Sequence, residues 1–361
     1  MFTNLSTSGP ALSLYPASQR VTFLYYLGRF HFDHGHYLRA HMCFEEAFKQ
    51  CPPRFQKHRR QILTYWIPAN LLLGRFPSPT HLLQRLPEAA GFADIYLPIC
   101  RAVQTGNFVA FHQTLKASRD YLWEKGLYLT FLYKLKPLLW RSFTRKTFLL
   151  TWQQQAEPDG SLSTTTTAAN ANRAASLSLH DLVTTAAYVQ KLLEGYTPVP
   201  TQPQPPQQQQ QQQPPRRPGS QAHVNSIFMQ AVQNNVGHSP PYAYQLLPPP
   251  GGKPKHLMPS EGLIFGNKKP DLQSMESVVA GLVYAGLLNG FIARQQKRFA
   301  VEGAKRKGGN AVAAGWPNPY ESIMERFRDD FEESRAAYEA GDAAESPGAS
   351  LDEVPGWVVM P

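Results

Sequence analysis

The stretch LVYAGLLNGFIARQQKRFAV, residues 282–301, changes character halfway along. It begins apolar with helical spacing, meets Asn289-Gly290, passes into a short alternating run and ends basic. Gly290 stands where a left-handed residue is expected to end a helix. Beyond it Phe291 and Ala293 alternate with Ile292 and Arg294, as the two faces of a strand do. A helix that feeds a basic ribbon supplies a core on one side and a charged, solvated arm on the other.

The segments upstream complete the pattern. In DLQSMESVVAGLVYAGLLNGF, Leu272, Met275, Val278, Val279, Leu282, Val283 and Leu287 form one apolar stripe, with Asp271 or Ser274 as its cap. In LSLHDLVTTAAYVQKLL, Leu179, Leu182, Val183, Ala186, Val189 and Leu193 do the same behind Ser178. With a helix over 138–152, three helices and a ribbon make a winged helix, spanning residues 137–196 and 267–302. Two low-complexity inserts interrupt it. Residues 153–175 are mostly Gln, Thr, Ala and Asn with almost nothing apolar beyond alanine; residues 197–266 are rich in Pro, Gln and Gly and contain QQQQQQQ. Both are expected to loop out disordered, because each doubling of a loop costs only about 0.6 kcal/mol. The glutamine run reads as a linker or a self-association tract.

After an N-terminal segment, 1–17, residues 18–136 read as helical repeats. In VTFLYYLGRFHFDHGHYLRAHMCFEEAFKQCPP, residues 21–53, Gly28 follows Leu27, and Ala40, Phe44, Ala47 and Pro52 succeed at tetratricopeptide-type spacing. The spacing puts a small residue where two antiparallel helices cross, a bulky one in the gap and Pro after the second helix. Leu24 and His31 depart from the pattern. One such repeat cannot bury its own face, so neighbours must stack on it. RRQILTYWIPANLLLG, YLPICRAVQTG, NFVAFHQTLKASRDYLWEKG, LYLTFLYKLK and PLLWRSFTRKTFLLTW supply helices as far as Trp152. The fold class is mainly α: a tetratricopeptide-like, right-handed stack of helix pairs followed by a C-terminal winged helix.

Charge narrows the partner. The formal net charge is +10, yet from Glu321 onward 11 acidic residues face 3 basic ones. Residues 303–361 therefore form a tail that is first basic, then acidic. A basic body calls for an anionic partner, nucleic acid foremost, with the acidic tail as screen or competitor. The bland alternative is a solvated basic face. The candidate contacts are Lys268 and Lys269 before the last helix, Arg294, Lys297 and Arg298 on the ribbon, and Lys305, Arg306 and Lys307 beyond it. Lys134, Lys136, Arg141, Arg145 and Lys146 form a second basic set. The Lys-Arg pair and the Lys-Arg-Lys cluster also suit a nuclear import signal. No aromatic–basic pattern of an RNA-recognition sheet is evident, so sequence preference should be weak.

Other chemistries find little support. Three cysteines without a CxxC pair suit a reducing compartment. The apolar runs are broken by Lys and Pro short of a membrane span, so the chain reads as soluble and intracellular. The cluster HFDHGH (His31, Asp33, His34, His36), with His41 and Cys43 nearby, has neither HExxH nor finger spacing. Turn and surface histidines are the better reading, and no metal or other cofactor is expected. A Walker loop, a G-x-S-x-G elbow and paired carboxylates in a recognisable setting are all missing from the sequence, which reads as non-enzymatic.

Six segments in order, FLYYLGRF, RRQILTYWIPANLLLGRFPS, CRAVQTGNFVAF, WRSFTRKTFLL, LSLHDLVTTAAYV and GLVYAGLLNGFIARQQKRFAV, resemble PCI-domain proteins over residues 21–301. The branch they resemble holds subunits of the nuclear messenger-RNA export complex and their signalosome-associated relatives. The resemblance implies a scaffold that pairs with a larger PCI-type protein, binds a small acidic subunit of the proteasome-lid type and holds RNA or DNA on a joint basic surface. It implies a location in the nucleus and at nuclear pores, with a cytoplasmic fraction. Two features depart from it: the chain begins at what corresponds to the middle of the family's helical stack, and the inserts interrupt the winged helix. The alternatives are a signalosome-type scaffold whose wing meets protein only, and a winged-helix DNA-binding factor. The last needs base-reading cations on 271–288, where Gln273, Ser274, Glu276 and Ser277 stand instead.

Overall fold

A computed structural model describes residues 12–80, 86–154, 175–201, 243–304, 310–326 and 328. Helices α1 (Ala17–Asp33), α2 (Tyr37–Gln50), α3 (Gln56–Leu72), α4 (Phe92–Thr105), α5 (Phe108–Ala117), α6 (Arg119–Glu124), α7 (Tyr128–Lys134) and α8 (Lys136–Gln154) follow in order. Then come β1 (Ser176–Ser178), α9 (Leu179–Leu193), β2 (Thr197–Thr201), β3 (Ala243–Leu247), α10 (Leu272–Tyr284), β4 (Gly290–Ala293), β5 (Arg298–Val301) and α11 (Ala311–Gly315). The fold is mainly helical, as the periodicity predicts. No helix among the described residues is long and apolar enough to cross a membrane. The chain divides into two compact units: Met1–Arg101 with Thr114–Leu135 and Asn318–Pro361, and Ala102–Gln113 with Lys136–Pro317.

In the first unit α1 and α2 pack as a pair. Leu24, Leu27, Ala40, Phe44 and Ala47 are buried between them. The small residue at position 28 has a measurable reason: a Cβ there would lie 2.7 Å from the Phe44 ring. Pro52 follows the Cys51 cap of α2 and is exposed. On α3 the Arg59 guanidinium meets the buried Glu88 carboxylate at 2.6 Å. Further along, the Tyr96 ring meets Phe131 edge-on.

The second unit is built around a three-stranded antiparallel sheet in the order β1-β5-β4. That order, with α8, α9 and α10 against it, is the winged helix the sequence predicts. Its inner sheet face carries Leu177, paired with Phe299, which is in turn paired with Ile292. Leu182, Ala186, Met275, Val279 and Leu282 complete a shared interior. Residues 178–193 and 271–301 thus meet across the long insert.

Several details differ from expectation. Helix α10 ends at Tyr284 with Ala285 as cap, and Gly286 (φ +67°), not Gly290, supplies the left-handed residue. Gly290 (φ +152°) instead opens β4, where a Cβ would collide with the Ala300 carbonyl oxygen and crowd the Phe299 ring. The ribbon is two strands with a turn at 294–297, so the alternation does not run through it.

The second insert is also smaller than its composition suggests. Residues 197–201 pair with 243–247, and the chain from 253 to 270 packs back on the unit. Leu257 and Leu263 are buried; Gln190 accepts from the Leu263 N–H at 3.1 Å and donates to the Gly266 carbonyl at 3.0 Å. Two leucines and one buried amide anchor a stretch whose Pro and Gly content reads as filler. Residues 202–242 lie outside the described residues, as do 155–174 of the first insert; the expected first insert begins too early, since α8 runs to Gln154.

The tail, finally, starts later than 303. Trp316 is buried against Phe148 and Phe299, and its indole N–H donates to Thr144 Oγ1 at 3.2 Å. A single tryptophan after Ala-Ala-Gly is the signal that a core contact was still to come.

Candidate functional site

The wing and the entry to α10 carry the candidate cations. Asp271 caps α10 reciprocally: its carboxylate accepts from the Ser274 N–H at 2.8 Å, and its own N–H donates to Ser274 Oγ at 3.0 Å. Hydrogen bonding to the carboxylate from the Ser274 side chain and then from its backbone N–H holds the Asp271 carboxyl below its ordinary range, with Lys268 adding to the effect. Lys268 and Lys269 sit exposed just ahead of the cap, on the side where the helix presents its positive end. Just before them, the Asn267 side chain accepts from the Leu257 N–H at 2.8 Å, which fixes how the chain enters α10.

Across the helix, the wing turn Arg294-Gln295-Gln296-Lys297 is closed by the Lys297 N–H donating to the Arg294 carbonyl at 3.2 Å. Lys297 takes a left-handed conformation, φ +51°, unusual outside glycine. Its carbonyl accepts from the Leu179 N–H at 2.9 Å, tying the turn to the start of α9. Arg294 Nε meets Glu276 Oε1 on α10 at 2.8 Å, so the turn lies beside the second turn of that helix. Arg298 donates to Ser176 Oγ at 3.2 Å. Burial raises the Asp181 carboxyl pKa, and Arg298 nearby opposes that rise. Of the five described cations, Lys268 and Lys269 therefore precede α10, Arg294 reaches it through Glu276, and Lys297 and Arg298 lie by the start of α9 and β1, with Asp181 near Arg298. The sequence reading noted Glu276 only as a position on that helix without a cation, and it did not single out Asp181. Lys305, Arg306 and Lys307 lie outside the described residues.

The second basic set does not form one surface. Lys136 is half-buried and donates to the Gly262 carbonyl at 3.1 Å, and burial lowers its pKa. Arg141 donates to the carbonyls of Trp316 and Pro317 at 3.0 and 2.5 Å. Burial, with Arg145 adding repulsion, lowers its pKa to about 10. Both cations close the ends of segments that are distant in sequence, and neither is offered to a ligand. Arg145 and Lys146 are exposed on α8, and Lys134 is exposed in the first unit.

The histidines are engaged locally. His34 Nδ1 lies 2.7 Å from the Phe30 carbonyl. The buried His41 accepts from the Trp66 indole N–H at 2.8 Å, and its other ring nitrogen lies 3.0 Å from Arg75. Burial lowers the pKa of both His31 and His41 to about 4.

Comparison with characterised chains falls in line with this geometry. No family model matches the sequence. A PCI domain-containing protein of Schizosaccharomyces pombe is 34% identical over 155 residues, 42% of this chain and 34% of the relative. A CSN12 homologue of the same organism is 33% identical over 141 residues, 39% of this chain and 32% of the relative. A PCI domain-containing protein 2 homologue of Drosophila melanogaster is 31% identical over 149 residues, 41% of this chain and 36% of the relative. The matched region spans about a third of the length of these relatives. With helix pairs in one unit and a winged helix in the other, the chain is similar, over about two fifths of its length, to PCI-domain proteins and CSN12 homologues.

Proposed function

We propose that this chain is a non-catalytic scaffold subunit of a nuclear complex that couples transcription to messenger-RNA export. It pairs with a larger PCI-type protein, holds a small acidic subunit and meets RNA or DNA through the winged helix. The observation that carries the nucleic-acid part is that Lys268 and Lys269 stand exposed ahead of α10 while Arg294 and Lys297 close the wing turn, Arg294 reaching Glu276 on α10 and Arg298 standing next along β5. Flexible cations at a helix N-terminus and a wing suit phosphate contacts that position a strand without reading its bases.

The test is a salt titration of binding to single-stranded RNA by the full chain. Lys297→Ala with Arg298→Ala is expected to lower the slope of log affinity against log salt by about 1.4, at about 0.7 per phosphate on single strands. Affinity that ignores salt and survives the double substitution would defeat the export reading.

A second reading, a signalosome-type scaffold whose wing meets protein, draws on the CSN12 homologues among the relatives and on the acids set among the cations. Copurification from nuclear extract separates the two by the company the chain keeps. A sequence-specific DNA-binding factor is the least supported, since the exposed α10 positions Gln273 and Ser277 offer no cation to a groove.

A further inference from the structure

Paired residues in antiparallel strands share a face, so the register fixes what the wing sheet shows to solvent. On the outer side Ser176 and Phe291 both pair with Ala300, while Ser178 and Ala293 both pair with Arg298. The floor of this face is small: two serines and two alanines. On it stands Phe291, 59% exposed, a large ring that the core leaves unused while its neighbours Ile292 and Phe299 turn inward. Arg298 lies on the same face, steadied by Ser176 Oγ at 3.2 Å. Beyond it, at the wing turn, come the exposed Arg294 and Lys297. Sequence reading missed this aromatic–basic surface because its parts lie on three strands spread over residues 176–301.

We propose that the outer face of the β1-β5-β4 sheet is a stacking platform for single-stranded nucleic acid. A base lies on the Phe291 ring over the shallow Ser/Ala floor, and the adjoining phosphates meet Arg298, Lys297 and Arg294. The proposal rests on the reading that the wing meets nucleic acid, and it adds the class of strand. Charge complementarity selects a polyanion, and the exposed ring selects one whose bases are free to unstack. A duplex keeps its base faces covered, whereas every base in a single strand offers one. The three-stranded sheet is about 10 Å across, enough to seat a short run of nucleotides.

The test uses the full chain and a fluorescent oligouridylate about twelve nucleotides long, read by anisotropy over about 50 to 200 mM salt. Phe291→Leu keeps apolar bulk but removes the π face. It should weaken binding about tenfold, within the range of a single stacked base, and leave the salt slope unchanged. Phe291→Trp should bind at least as tightly as the native chain. A duplex of equal length should bind more weakly than the single strand. Thermal melting checks that each variant is folded, which an exposed position favours.

If Phe291→Leu binds like the native chain while Lys297→Ala with Arg298→Ala loses the salt-dependent part, the platform is overturned and the basic wing stands. A duplex that binds as tightly as the single strand overturns it too. If the native chain binds no oligonucleotide at low salt, as expected for a face covered by protein, the wing reading itself falls and the platform with it.

Discussion

Arg294 on the wing turn and Glu276 on α10 form an ion pair of 2.8 Å, although the arginine is 85% exposed. So open a pair adds little to stability, about 0 to 1 kcal/mol. Its consequence is positional: the carboxylate holds a guanidinium at the wing-turn end of the sheet, and under the proposed nucleic-acid reading it competes with phosphate for it.

Glu276→Gln should therefore release Arg294. Single-stranded RNA should bind severalfold more tightly, with a salt slope steeper by up to about 0.7. The melting temperature should move little. Weaker binding in this variant would mean that the carboxylate orients Arg294 for the ligand and does not compete for it.

The wing depends on a residue without a side chain. Gly290→Val would drive a Cβ into the Ala300 carbonyl and against the Phe299 ring at a φ that β-branched residues avoid. We expect loss of cooperative unfolding, or destabilisation by more than about 3 kcal/mol. Gly286→Ala, at the left-handed φ of +67° that follows the Ala285 cap, should cost about 1 kcal/mol. Equal melting of the two variants would show that strand contact at position 290 is not what demands glycine.

In the first unit Gly28 and Phe44 are two halves of one contact. Gly28→Ala sets a methyl 2.7 Å from the ring and should cost about 1–3 kcal/mol. Phe44→Leu alone should also destabilise, by removing a fully buried ring. Combining them should cost less than the sum, because the smaller side chain makes room for the methyl. Strict additivity in thermal melts would break the assignment of this crossing.

How much of this was legible follows from what each feature depends on. Gly28, Ala40, Phe44 and Pro52 act between adjacent helices, so their spacing in the sequence already contains their geometry. The α9 and α10 stripes likewise announce a common core. The cations were legible as charges only. Lys136 and Arg141 look like the solvated side of α8, yet their acceptors are carbonyls at 262, 316 and 317, which no local pattern connects to them. Arg294 and Glu276 meet only because the ribbon folds into a hairpin, and the outer face of Phe291 exists only once the register is known.

Acid should destabilise the fold. His31 and His41 in the first unit and His112 in the second are held neutral by burial, each lowered to about 4 from an ordinary value near 6.5. Between those values the unfolded chain takes up protons that the folded chain refuses. Stability is therefore lost as pH falls from about 6.5 toward 4, and these groups give no dependence above about 7. His41→Asn keeps an acceptor for the Trp66 indole N–H and removes one titrating ring, so its melting temperature should fall less steeply with pH. A variant as acid-sensitive as the native chain would exclude His41 from the effect.

The long insert leaves and re-enters the second unit at a paired position, Thr201 opposite Ala243. Two residues can close such a ladder, and Asn-Gly suits the required turn. Replacing residues 202–242 by Asn-Gly removes about four doublings of loop length, so the unit should be stabilised by up to about 2 kcal/mol. The β2–β3 pair would then be continuous, and the strap that carries Leu257 and Leu263 would still reach its buried seats beside Gln190. Native-like melting together with native RNA affinity is the expected outcome. A chain that no longer folds would show that residues 202–242 supply contacts to the winged helix, and that the separation between paired strands and excised loop is drawn in the wrong place.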